Sequence, residues 1–212
     1  MFVPRAFAES DPAALDWLVA HDAFATLVSS AGGEPFASHI PVLCRREEGR
    51  VVFEGHLARA NPQWQQLAAQ TALLILHGPH AYVSPSWYPD PAQSVPTWNY
   101  AVAHVYGRCE VYDEPARLQD LVAELSAKYE SGIGSGWRFP EAAPDTLHEL
   151  RGIVGFRLGA TRIEVKYKLN QHHPEAKVRS AAAALASQPG SDAPAVGALM
   201  LDRLSRRTGD VP

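Results

Sequence analysis

The apolar positions of this chain follow two rhythms, a helical period and a strand alternation, whose order predicts an α+β protein. Ser10 or Asp11 is placed to cap a helix with Pro12 in its first turn, and Leu15, Leu18 and Val19 then share one stripe. After His21 and Asp22 the pattern turns to strands: residues 24–30, a turn at Gly32 and Gly33, residues 35–45, a charged turn closing at Gly49, and residues 50–57. Short turns between such runs make an antiparallel meander. Asn61 and Pro62 signal a second helix running to about Gln70, with Trp64, Leu67 and Ala68 on one side.

Residues 71–77 are continuously apolar and of strand length, as a central strand would be. Residues 80–88 extend the sheet until Pro89 and Pro91 force a loop. From Thr97 the chain becomes strand-like again, alternating at Val105, Gly107, Cys109 and Val111. Residues 114–130 are the clearest amphipathic helix, with Leu118, Leu121, Val122 and Leu125 on one stripe. A Gly/Ser loop over residues 131–137 and a short helix ending at Leu150 lead to closing strands within residues 152–169. Pro174 opens an alanine-rich helix, residues 187–194 break it, and a last amphipathic helix covers residues 196–207. About six antiparallel strands with helices between them predict a small β-barrel with helices packed around it. The division expected is a barrel domain over residues 1–170 and a helical extension over residues 171–212.

Composition narrows the function classes. The 212 residues are 46% hydrophobic and 20% charged, ordinary for a soluble globular protein. A net charge of −4 supplies no general basic field, so direct nucleic-acid binding is not expected. Arg203, Arg206 and Arg207 form a basic cluster in the last helix and read as a solvated face. Cys44 and Cys109 are too few for a disulfide framework and read as reduced, buried thiols. No run approaches the ~20 apolar residues that cross a membrane, and the first residues lack a signal-peptide core, so a cytoplasmic location is expected.

The chemistry concentrates between Arg50 and Gly107, which hold three of the five tryptophans (Trp64, Trp87, Trp98) and four of the nine histidines (His56, His77, His80, His104). Flat rings beside hydrogen-bonding groups suit a planar, partly polar ligand such as a flavin. A metal site is not expected. Gly78 and Pro79 keep His77 and His80 off one helical face, and no cysteine or carboxylate pair completes a ligand set. Neither a GxGxxG fingerprint after the first strand nor an HExxH or GxSxG motif is present.

Three segments, GHLARANPQW, GPHAYVSPSWY and VPTWNYAVAHVYG, resemble the PaiB family in order and in several specific residues. The opening MFVPRAF, the segments FATLVSS and SHIPVL, and the late TRIEVKYKLNQHHPE extend the resemblance to about residues 1–180. It implies the flavin-binding split-barrel fold, related to pyridoxamine-phosphate oxidases and flavin reductases, as a homodimer that binds FMN. Family members are described as negative transcriptional regulators. The segment around Lys168 departs from the family's KFKLSQNRPEE at Asn170 and at His172 and His173.

An FMN site needs an anion-binding end, a slot for the ring system, and partners for the ring's polar edge. His56 and Arg59 at a strand end, with Asn61 at the following helix start, suit the phosphate. Ser84, Ser86, Trp87, Thr97, Trp98 and Asn99, flanking a proline-bounded loop, suit the ring. Lys166 and Lys168 alternate on one strand face and, with Gln171, suit phosphate or substrate. The function expected is FMN binding of PaiB type, with regulation, if any, exerted indirectly. The alternative is an FMN-dependent oxidoreductase on a small molecule, and a weaker one is haem binding, since some split barrels hold haem.

Overall fold

The computed structural model of the chain describes residues 1–31, 33–140 and 148–208. Its strands are β1 (Ala8–Glu9), β2 (Phe24–Ala31), β3 (Glu34–Pro41), β4 (Leu43–Glu47), β5 (Arg50–Ala58), β6 (Thr71–Val83), β7 (Thr97–Tyr112) and β8 (Ile153–Lys168). The helices are α1 (Pro12–His21), α2 (Trp64–Leu67), α3 (Pro115–Ile133), α4 (Glu175–Ala186) and α5 (Asp192–Thr208). Seven strands run in the order β3-β2-β6-β7-β8-β5-β4, and β1 pairs with β8. Strand β2 pairs with β3 and β6, β4 with β5, and β8 with β1 and β5, each antiparallel.

The strand count differs from expectation for two local reasons. The run at residues 35–45 is two strands, because Pro41 has no N–H to continue a ladder. Val42 instead donates its N–H to the Ala23 carbonyl at 3.0 Å with its side chain fully buried, and the chain turns from its β2 partner toward β5. Conversely, the two runs after Thr71 are one strand. In β6 the buried positions are Ala72, Leu74 and Leu76, then Pro79, Ala81 and Val83. The alternation changes phase at Gly78, whose missing side chain admits Leu18 and Ala101; an added Cβ would lie 2.5 Å from Leu18 Cδ2.

The chain forms two compact units. One comprises Asp22–Leu76 and His104–Ile163. Here α3 lays Leu118, Leu121 and Leu125 against Leu43, Tyr112 and Leu150. Glu114 precedes α3, and Gly134 closes it in the left-handed conformation at φ +71°. The expected helix after Asn61 is only four residues long. Asn61 Oδ1 caps the turn by accepting from the Gln63 N–H at 3.0 Å, and β6 begins four residues after Leu67. The turn expected at Gly32 and Gly33 retains Gly33 at φ +92°, while Gly32 lies outside the described residues. The short helix expected to end at Leu150 lies mostly outside them, with 148–150 helical.

The other unit comprises Met1–His21, His77–Ala103 and the chain from Glu164 onward. Its helices α4 and α5 bury Val178, Ala181, Ala182, Leu185, Val196 and Met200. Helix α5 starts at Asp192, before the expected position, with Pro194 inside its first turn, where no N–H is needed. In the basic cluster Arg206 and Arg207 are exposed, as a solvated face would be, while Arg203 is largely covered, and all three are engaged. Arg203 pairs with Glu9 and covers the Tyr167 ring, Arg206 pairs with Asp11 and Asp202, and Arg207 donates to the carbonyls of Gln171 and His173. Partners almost two hundred residues away gave the sequence no local sign of this. Among the described residues no helix is long and apolar enough to cross a membrane.

Candidate flavin site

The sequence-selected residues fall into two groups, one in each unit. In the first, His56 is partly buried on β5, opposite Gly155. Its Nδ1 is enclosed and has no hydrogen-bond partner among the described residues, and burial pushes the imidazole's pKa below its ordinary value. Arg59 follows the strand and is well occupied. Its Nε donates to the Arg151 carbonyl at 2.7 Å, Nη2 to the Ile153 carbonyl at 3.1 Å, and Nη1 to Asp113 Oδ2 at 3.2 Å. A guanidinium has five N–H groups, so among the described residues two stay available, one on each Nη. Arg59 and Asp113 line a cavity of about 250 Å³. Asn61 donates from Nδ2 to Ser38 Oγ at 2.8 Å besides capping its turn.

Sequence reasoning missed Gln63 in this unit. It is fully buried, and its Nε2 reaches the Leu27 carbonyl at 3.0 Å, Ser29 Oγ at 3.1 Å and the Phe36 carbonyl at 3.1 Å. One amide thus ties the chain after Asn61 to β2 and β3. A lone polar residue beside a one-turn helix carries no periodic signal, so nothing in the pattern marked it.

In the second group, Ser84 Oγ accepts the Ser86 N–H at 3.2 Å and lies 2.7 Å from Ser86 Oγ, setting the helical turn Pro85–Trp87. Trp87 and Trp98 line a broad cavity of about 590 Å³, together with His80, Tyr82 and the chain from Gln188 to Ala193. Trp98 is 54% exposed and has Tyr82 edge-on at 6.0 Å and His80 at 6.2 Å. Strand alternation puts Asn99 on the opposite side, where it is fully buried and donates from Nδ2 to Met200 Sδ at 3.3 Å. Its Oδ1 has no partner among the described residues.

Lys168 Nζ donates to Thr97 Oγ1 and, at 2.6 Å, to the Trp98 carbonyl. Burial and the charge of Lys166 push its pKa down. Lys166 itself is buried and donates to the Phe2 carbonyl at 3.2 Å. Gln171 closes its own turn, accepting from the Leu169 N–H at 2.7 Å and donating to the Tyr167 carbonyl at 2.5 Å. Asn170 takes φ +61° inside that turn.

These residues fit a flavin in part. The aromatic-lined cavity lies within the 300–1,000 Å³ range of small-molecule sites, and His56 offers an enclosed polar atom lacking a partner. Asn99 and Gln171 turn their amides to the protein.

Residues 1–162 match the family described as "Putative FMN-binding domain". The chain is 31% identical over 209 residues to the Protease synthase and sporulation protein PAI 2 of Bacillus subtilis (strain 168), covering 98% of this chain and all of that one. In fold it is similar to the flavocytochrome Anf3 from Azotobacter vinelandii, at a TM-score of 0.60 and 17% identity, over 78% of this chain and 72% of that chain. It is also similar to an FAD and heme binding protein from Mycobacterium smegmatis, at 0.58 and 17%, over 76% and 73%. The architecture of antiparallel sheet and peripheral helices is thus that of the split-barrel flavoproteins. The chain belongs to the FMN-binding PaiB family, and its cofactor is a flavin.

Proposed function

We propose that this protein binds FMN and acts as a homodimer, with any effect on transcription exerted indirectly. The observation that carries the site is the cavity lined by Trp87 and Trp98, with Tyr82 and His80 against the Trp98 ring. The ring lies against the tryptophans, and the Ser84–Ser86 turn sets the Trp87 side of that cavity. In the other unit, the N–H groups that Arg59 leaves unspent, with Asn61 fixing that corner and His56 beside it on the strand, make a separate candidate for an anion. Lys168 holds the Thr97–Trp98 segment, while Asn99 and Gln171 support it from within. A bound flavin supplies electron or hydride transfer. The residues of this chain bind and orient it.

Exposed apolar rings support the dimer: Phe24 and Phe36 stand 51% and 37% exposed on β2 and β3, and β3 is a sheet edge. Calorimetric titration of flavin-free protein tests the cofactor reading. FMN binds stoichiometrically and Trp98→Ala weakens FMN and riboflavin alike; saturable FMN binding untouched by Trp98→Ala would remove the ring from this cavity.

A further inference from the structure

The Glu164-containing unit holds a second, smaller cavity of about 340 Å³, with apolar walls from Phe7, Val95 and Pro96 and the Tyr88 ring. Two ammonium groups line it, and they differ. Lys177 Nζ pairs with Asp90 Oδ1 at 2.8 Å and donates to Ser94 Oγ at 3.2 Å, so its charge is matched. Lys168 spends two N–H groups on neutral oxygens, and among the described residues no carboxylate pairs with it. An ammonium has three N–H groups, so one remains.

His172 and His173 close one side, with ring centroids 4.1 Å apart and His173 6.0 Å from Tyr88. Burial, then His172 and Lys177, push the pKa of His173 below its ordinary value. Asn170 Nδ2 donates to the Tyr88 hydroxyl at 2.8 Å, which orients that phenol. The cavity therefore combines apolar and aromatic walls with one ammonium whose charge the protein leaves unmatched.

We propose that this cavity binds a small monocarboxylate with an aromatic or branched apolar body, its carboxylate on Lys168 and its body between Phe7, Tyr88 and Val95. One unmatched positive charge complements one negative charge. A phosphate dianion would bring an excess, and a neutral ligand would leave the ammonium desolvated without a counter-ion. The inference rests on the flavin reading only in sharing Thr97 and Lys168 with it.

The test is calorimetric titration of the flavin-free full chain with benzoate, benzyl alcohol and inorganic phosphate, repeated on the FMN-loaded protein. Benzoate binds saturably, and the neutral alcohol binds roughly tenfold more weakly or worse. Lys168→Met lowers benzoate affinity by roughly tenfold to a hundredfold, the range for losing a charge-assisted hydrogen bond. Asp90→Asn frees the charge of Lys177 and tightens benzoate binding several-fold, a change that a purely structural Lys168 does not explain. Equal affinity for benzoate and the alcohol, tighter binding of phosphate, or no tightening in Asp90→Asn would overturn the proposal. Because the flavin-free titration involves no cofactor, failure to bind FMN leaves this result standing on its own.

Discussion

The backbone of Gly107 lies so close to Gly159 that a Cβ added at Gly107 would sit 2.1 Å from the Gly159 carbonyl oxygen. The contact is one-sided: a Cβ on Gly159 would meet nothing within 4 Å. Gly107→Ala should therefore destabilise the protein by about 3 kcal/mol, since neighbouring strands β7 and β8 must move apart. Gly159→Ala should change stability by less than about 1 kcal/mol, with the lost chain entropy of glycine favouring the variant. Urea unfolding of both variants measures this, and equal effects would show that the strands yield freely.

Gln63 serves three acceptors on β2 and β3 from a fully buried position. Gln63→Leu fills similar space but leaves those oxygens without their donor, and should cost about 2–3 kcal/mol. A change within about half a kcal/mol by denaturant titration would mean that water replaces the amide.

The buried His56 imidazole makes stability depend on pH with a fixed sign. Its folded pKa lies below the ordinary imidazole value of 6.5, so the unfolded chain binds the proton more readily. The contribution is fully present above pH 6.5, shrinks as pH falls through that value, and levels off below the folded pKa. Melting temperatures of flavin-free protein between about pH 5 and 8, which bracket an ordinary histidine, should rise more steeply for the native chain than for His56→Gln. Parallel profiles would show an imidazole that is solvated in both states.

Arg59 braces the chain before β8 through its bonds to the Arg151 and Ile153 carbonyls and is proposed to meet an anion with its remaining N–H groups. Arg59→Ala should lower stability by about 1–2 kcal/mol through the lost bonds to the Arg151 and Ile153 carbonyls. It should also weaken FMN roughly tenfold or more while sparing riboflavin, which lacks the phosphate. Equal losses for both flavins would leave Arg59 with the bracing role alone.

Much of this architecture is written in local pattern. The α3 stripe of Leu118, Leu121 and Leu125 follows from helical periodicity, and the inward placement of Asn99 follows from its parity with Ala101 and Ala103 in β7. Parity was the overlooked clue there, because residue type alone had put Asn99 on the ring. The rest depends on partners that periodicity cannot name. Arg203 finds Glu9, Lys168 finds Thr97, and Gln63 finds Leu27 and Phe36, each across tens to hundreds of residues. The end of β3 at Pro41 was legible as a missing N–H, whereas the fully buried Val42 that follows it was not.

The central claim is that this chain holds a flavin, and the visible absorption spectrum tests it most directly. Protein incubated with FMN and then passed through a desalting column should carry flavin bands in stoichiometric amount, perturbed from those of free FMN by contact with Trp87 and Trp98. A featureless trace, or a Soret band retained in place of flavin bands, would contradict it.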